Sequence, residues 1–164
     1  MNRRIFYIIL VLFFLVIDKL SKYLIVKNIA LYDHKVIIPG FLNFTHIRNR
    51  GVIFGLFSQS SSDISHIILL IIQTAAIILV IYFFLKTPYS DILSKISLSL
   101  ITAGALGNLS DRIMNKYVVD FIDIYIKQWN WAIFNVADSC ITIGAILMMF
   151  VFIFKRREKC TQSS

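Results

Sequence analysis

The chain is short of charge and, above all, of acid. Only nine of its 164 residues are Asp or Glu, and charged residues make up 16%, against ~25% in an ordinary soluble domain. Hydrophobic residues make up 58%, with a mean hydropathy of +0.77. They gather into a few long runs, which read as membrane spans rather than a globular core. Cysteine is scarce too, with only Cys140 and Cys160. On one continuous helix these two would stand ~30 Å apart, far beyond the ~7 Å reach of a disulfide. The three histidines, His34, His46 and His66, all lie early in the chain, so Cys140 reads as a packing residue rather than a nucleophile. Also missing are His/Cys/Glu clusters at metal spacing, a G-x-S-x-G elbow and a glycine-rich phosphate loop. No metal and no cofactor are expected.

What the chain does have is a surplus of base, 17 Lys and Arg for a formal charge of +8. No RNP, zinc-finger or helix-turn-helix pattern accompanies them, so nucleic acid is not an expected partner. They sit in the short segments between apolar runs, where they orient a membrane protein and meet membrane lipids. Arg3, Arg4, Lys86, Lys95, Lys155, Arg156, Arg157 and Lys159 crowd one side. The positive-inside rule makes that side, and both termini, cytoplasmic.

The runs predict a single integral membrane domain over 1–164, with spans at about 5–26, 64–85, 96–112 and 136–154. The first run has a basic head like a signal peptide, but no small-x-small cleavage site follows it. Segments at about 27–63 and 113–135 are expected on the outer face. Within the first, Val36-Ile37-Ile38, Pro39-Gly40 and the stretch 41–47 predict strand, turn and strand. An apolar patch at 52–57 is too short to span. The second segment, with its interfacial aromatics, reads as a loop or short amphipathic helix. The third run carries Ser97, Ser99, Ala103, Gly104, Ala105 and Gly107, small residues that predict a central, closely packed helix.

Against this background the few ionisable residues near the spans stand out, because a charge at membrane depth is costly and marks a functional site by default. Asp18 and Lys22 are four apart and share a helical face. Asn108 and Arg112 likewise share one, beside Asp111. Asp120 and Asp138 flank the stretch that leads into the last run. Two carboxylates converging in a partly dry site share one proton, and together can activate water and polarise a carbonyl. The residues alone leave other readings open. Asp138 can cap the last helix, Asp123 can be a solvated loop charge, and Asp18–Lys22 an interfacial ion pair. A small four-span transporter or channel would use the Asp/Lys/Arg pairs as an ion path, although no sequence symmetry between halves is evident. An assembly factor without catalysis would tolerate asparagine at both aspartates.

Taken in order, Asp18-x-x-x-Lys22, Asn49-x-Gly51, Gly107-Asn108-x-x-Asp111-Arg112, Val119-Asp120-Phe121 and Phe134-Asn135-x-Ala137-Asp138 resemble the bacterial lipoprotein signal peptidases (signal peptidase II). The resemblance runs over about residues 5–154. It implies a membrane all-α fold, four transmembrane helices with a small β-cradle on the outer face of the bacterial cytoplasmic membrane. It implies an aspartic endopeptidase that acts on lipid-modified prolipoproteins, cutting before the lipidated cysteine, and here it is expected to be a monomer. The catalytic pair would fall on Asp120 and Asp138, near the outer face. Asp18, Lys22, Asn49, Gly51, Asn108, Asp111, Arg112, Asn135 and Ala137 would line or brace the site. Three departures from the family's pattern are Lys19, where glutamine is usual, Val52-Ile53 in place of small residues, and Ser110 in place of an apolar one.

Overall fold

Long apolar runs satisfy their own backbone hydrogen bonds most cheaply as helices, and among the described residues four helices form where the runs fall. The computed structural model describes residues 3–51, 63–127 and 129–162. Helix α1 is Arg3–Asn28, α2 is Asp63–Lys86, α3 is Ile92–Asn115 and α4 is Val136–Gln162. Between them, strands β1 (His34–Ile38), β2 (Leu42–Asn49), β3 (Val118–Ile126) and β4 (Trp129–Asn130) pair antiparallel in the order β1-β2-β3-β4. The molecule is thus mostly helical with one small sheet.

Three stretches among the described residues, Ile64–Lys86, Ile92–Asn115 and Val136–Phe154, are long and apolar enough to cross a membrane. Of the four expected spans, three are found by this measure. Helix α1 has the length, 26 residues, but Asp18, Lys19 and Lys22 interrupt its second half and Arg3 and Arg4 open it.

Helix α3 is central, packing against α1, α2 and α4. Its small residues allow this. A Cβ on Gly104 would run into the Ala137 carbonyl and lie 2.8 Å from Ile141 Cγ1. The hydroxyls of Ser97, Ser99 and Thr102 bond back to the carbonyls of Leu93, Lys95 and Leu98, each at 2.7 Å, so polar side chains sit in an apolar bundle without an open bond. The helix begins earlier than the run suggests. Asp91 caps it, accepting from the Ser94 hydroxyl at 2.7 Å, which places Lys95 inside the helix and fully buried rather than in a polar turn.

The predicted hairpin forms, β1 and β2 joined through Pro39-Gly40 with Gly40 at φ +77°. The patch at 52–57 lies outside the described residues. The segment expected to be a loop or amphipathic helix is instead strand β3, which pairs with β2 from Leu42↔Ile124 to Asn49↔Val118. Its first four residues, Val118 to Phe121, are all buried. Ile25 of α1 and Ile29 just beyond its end pack with Val119 and Phe121, and Phe44 and Val136 close over them. That cluster fixes the sheet to the ends of α1 and α4, and so brings β3 against the start of α4.

Candidate functional site

The site is built around one asparagine. Asn135 immediately precedes α4, whose first backbone N–H groups have no partner within the helix. Its Oδ1 accepts the Asp138 N–H at 2.9 Å, and its own N–H donates to Asp138 Oδ2 at 3.2 Å. This reciprocal arrangement is a capping box. Asp138 is therefore not the cap residue but its partner one turn in, its carboxylate at the positive end of the helix dipole. With Oδ1 so engaged, the Asn135 amide can only offer Nδ2 outward, and it donates to Asp120 Oδ1 at 2.6 Å. One side chain thereby joins the two aspartates.

Two further asparagines are locked in the same way. Asn49 Oδ1 accepts the Gly51 N–H at 2.7 Å, leaving Nδ2 to donate to Asp120 Oδ2 at 2.8 Å. Gly51 sits at φ +81°, where a side chain is strained, and a Cβ there would collide with Leu69. Asn108 Oδ1 accepts from Lys22 Nζ at 3.1 Å, and its Nδ2 donates to Asp138 Oδ1 at 2.7 Å. All four carboxylate oxygens thus meet a fixed donor.

Beneath the pair lies an ionic cluster. Lys22 Nζ donates to Asp18 Oδ2 at 2.8 Å and Asp111 Oδ2 at 2.7 Å, and Lys19 Nζ reaches Asp111 Oδ1 and the Gly107 carbonyl. Asp18 Oδ1 in turn accepts the Ala137 N–H at 3.0 Å, so a carboxylate from α1 holds the N-terminus of α4. Ala137 itself is 1% exposed. A Cβ on Gly107 would lie 2.8 Å from Asp18 Oδ2 and 3.4 Å from Ala137 Cβ. The buried Lys22 and the partly exposed Lys19 together balance the two buried carboxylates. Lys19 had looked only like a departure from the family's pattern. The signal was available, since residues 19 and 22 are three apart and so share a helical face.

Arg112 is half-buried on α3, within electrostatic reach of Asp138, Asp120 and Asp111. Its Nε is buried without a hydrogen-bond partner. Asp123, read as a possible loop charge, lies on β3 opposite Asn43. Cys140 is a buried free thiol, and the side chain of Cys160 lies outside the described residues. Among the described residues no three His, Cys, Asp or Glu side chains come together as a candidate metal site.

Burial pushes the Asp120 carboxyl above its ordinary value. The Asn49 and Asn135 amides oppose that shift, and the negative charge of Asp138 adds to it. A carboxyl that resists ionisation beside one at a helix N-terminus is an arrangement suited to holding a single proton between two groups.

The fold and this paired-carboxylate site describe a membrane enzyme, and comparison with known proteins agrees. The family model for signal peptidase (SPase) II matches residues 10–154. Lipoprotein signal peptidases of Solibacter usitatus and Staphylococcus aureus are 36% and 37% identical. The matches cover 90% of this chain and 90% of the Solibacter protein, and 89% of this chain and 86% of the Staphylococcus protein. A bacterial membrane enzyme solved by the in meso method at 1.9 Å resolution superposes with a TM-score of 0.80 at 37% identity, covering 89% of this chain and 91% of that one. A second such structure, at 2.3 Å, gives 0.82 at 36% identity over 93% and 90%. The chain belongs to the signal peptidase II family, and is by that membership a membrane-embedded protease.

Proposed function

We propose that the chain removes signal peptides from diacylglyceryl-modified prolipoproteins as an intramembrane aspartic endopeptidase, cutting before the lipidated cysteine. The observation that carries this is the Asp120–Asn135–Asp138 bridge, which holds two carboxylates side by side with every oxygen oriented by an amide.

In the reaction, ionised Asp138 takes a proton from water as the water oxygen attacks the scissile carbonyl carbon. Protonated Asp120 donates to the carbonyl oxygen. The assignment follows from burial, which raises the Asp120 carboxyl and so favours its acid form, and from the place of Asp138 in the first turn of α4. Collapse of the tetrahedral intermediate breaks the C–N bond. The amine leaves with the proton that Asp138 took up, and the hydroxyl proton returns to the pair. The buried, unpartnered Nε of Arg112 receives a carbonyl of the scissile segment.

On this reading α1 crosses the bilayer as the fourth span, because Asp18 pairs with Lys22 within α1 and Asp111 of α3 neutralises the charge left on Lys19 and Lys22. Both termini are cytoplasmic, the sheet and site lie near the outer face of the bacterial cytoplasmic membrane, and the substrate's acyl chains stay in lipid. The enzyme works as a monomer. The test is cleavage of a lipidated prolipoprotein by purified Asp120→Asn and Asp138→Asn variants in detergent. Each should lose on the order of 10²–10⁴-fold or more in rate, the worth of a positioned acid or base. Substantial activity in either would remove the pair from the mechanism.

A further inference from the structure

Three residues along β3 from Asp120, about 10 Å at the rise of an extended chain, a second cavity opens that shares no residue with the aspartate network. It has a volume of about 410 Å³, and His34, Asn43, Thr45, Asp123, Tyr125 and Trp131 are among its walls. Its polar groups are unevenly used. Asn43 Nδ2 donates to Asp123 Oδ2 at 3.1 Å, and Thr45 Oγ1 contacts the same oxygen at 3.5 Å. The Asn43 amide cannot turn over, since that would set its oxygen against a carboxylate. Asn43 Oδ1 is consequently left buried without a partner, and Asp123 Oδ1 accepts no bond among the described residues. Both of these positions are acceptors, one of them charged, and the His34 ring and the Asn130 amide on the same wall can each turn an acceptor toward the same point. No lysine or arginine lines the cavity, and the rings of Tyr125 and Trp131 complete it. Free acceptors, a negative charge and aromatic faces together select a cation that carries N–H donors.

The surroundings indicate where such a cation comes from. Val36, Ile37, Ile38 and Phe41 on the β1–β2 hairpin, with Trp129 and Trp131, are exposed. Exposed aliphatic and tryptophan side chains on one small sheet are expected at headgroup depth. We propose that this cavity binds the primary ammonium of an ethanolamine phospholipid headgroup and so seats the sheet on the bilayer surface. The inference rests on membrane attachment and not on the catalytic reading, so either can fail alone.

Of the chain's two tryptophans Trp131 lines the cavity and Trp129 does not, so tryptophan fluorescence reports from the cavity through Trp131 and Trp129→Phe isolates that signal. The full chain in detergent is titrated with short-chain phosphatidylethanolamine, phosphatidylcholine and phosphatidylglycerol, free ethanolamine and a lysine-containing peptide. The titrations are repeated with Trp129→Phe and with Asp123→Asn. The ethanolamine lipid should give a saturable change at a concentration at least about tenfold below every other probe, the worth of one charged hydrogen bond. Asp123→Asn, with an unchanged circular dichroism spectrum, should raise that concentration by about tenfold or more. Equal curves for phosphatidylglycerol or phosphatidylcholine would overturn the proposal, as would free ethanolamine matching the lipid. Tighter saturation by the peptide would assign the cavity to a polypeptide instead. The lipid comparison in the unsubstituted chain decides the matter even where a variant fails to fold.

Discussion

Among the described residues two lysines are buried, and they make a useful pair. Lys22 on α1 and Lys95 on α3 are 4% and 0% exposed, yet they are held by opposite means. Lys22 is saturated by polar groups, two carboxylates and an asparagine oxygen. Lys95 has no carboxylate among the described residues. It donates to the Phe84 carbonyl and rests 3.9 Å and 4.3 Å from the ring centres of Phe84 and Tyr89. The first lysine orients the asparagine that donates to Asp138, whereas the second touches nothing that reaches the paired aspartates. A buried charge is therefore no sign of function in itself. What distinguishes the functional one is the directed chain from Lys22 through Asn108 to Asp138.

That contrast can be broken by experiment. The largest effect is expected from Lys22→Met, which leaves Asp18 and Asp111 short of a counter-charge and frees Asn108 to turn over. Removing one partner of a buried ion network costs about 3–5 kcal/mol. Thermal unfolding in detergent should drop accordingly, and cleavage should fall at least as far as in Asn108→Ala. Asn108→Ala comes next. It deletes one donor to Asp138 and leaves the ionic cluster in place, and a hydrogen bond to a charged group is worth about 1.5–3 kcal/mol, or about 10- to 150-fold in single-turnover rate. The smallest effect is expected from Lys95→Met, an apolar side chain of similar length for an ammonium without a counter-charge. Stability should change by less than about 1.5 kcal/mol, in either direction, with cleavage near wild type. A Lys95→Met enzyme as impaired as Lys22→Met would erase the distinction.

The helices were legible because hydropathy over about twenty residues overrides local detail, and the β1–β2 hairpin because Pro39-Gly40 punctuates it. Strand β3 was not. A strand buried on both faces loses the polar–apolar alternation by which strands are recognised, and Val118-Val119-Asp120-Phe121 is buried throughout. The charges of α1 were legible as Asp18 and Lys22, but not the partners across the bundle that neutralise them, since Asp111 is 89 residues from Lys22. Asp138 posed the subtler problem. Capping a helix and serving a reaction look like rival readings in sequence, but the capping box leaves Asp138 Oδ1 facing Asn108, so the one does not exclude the other. The Asn135-x-x-Asp138 box is a local spacing, but the bonds from Asn49 and Asn135 to Asp120 and from Asn108 to Asp138 join segments brought together only by the fold.

The central claim is that the two aspartates share one proton, with Asp120 holding it. Burial raises the Asp120 carboxyl, so its acid form is complete at low pH and is lost as pH climbs through that raised value. The base must be ionised, a condition lost as pH falls. Single-turnover cleavage of a lipidated prolipoprotein, followed across pH with and without EDTA, measures both limbs. The account predicts a bell whose alkaline limb falls above the ~3.9 of a free aspartate, unchanged by the chelator. A rate that holds level on the alkaline side, or activity abolished by EDTA and restored by zinc, would contradict it.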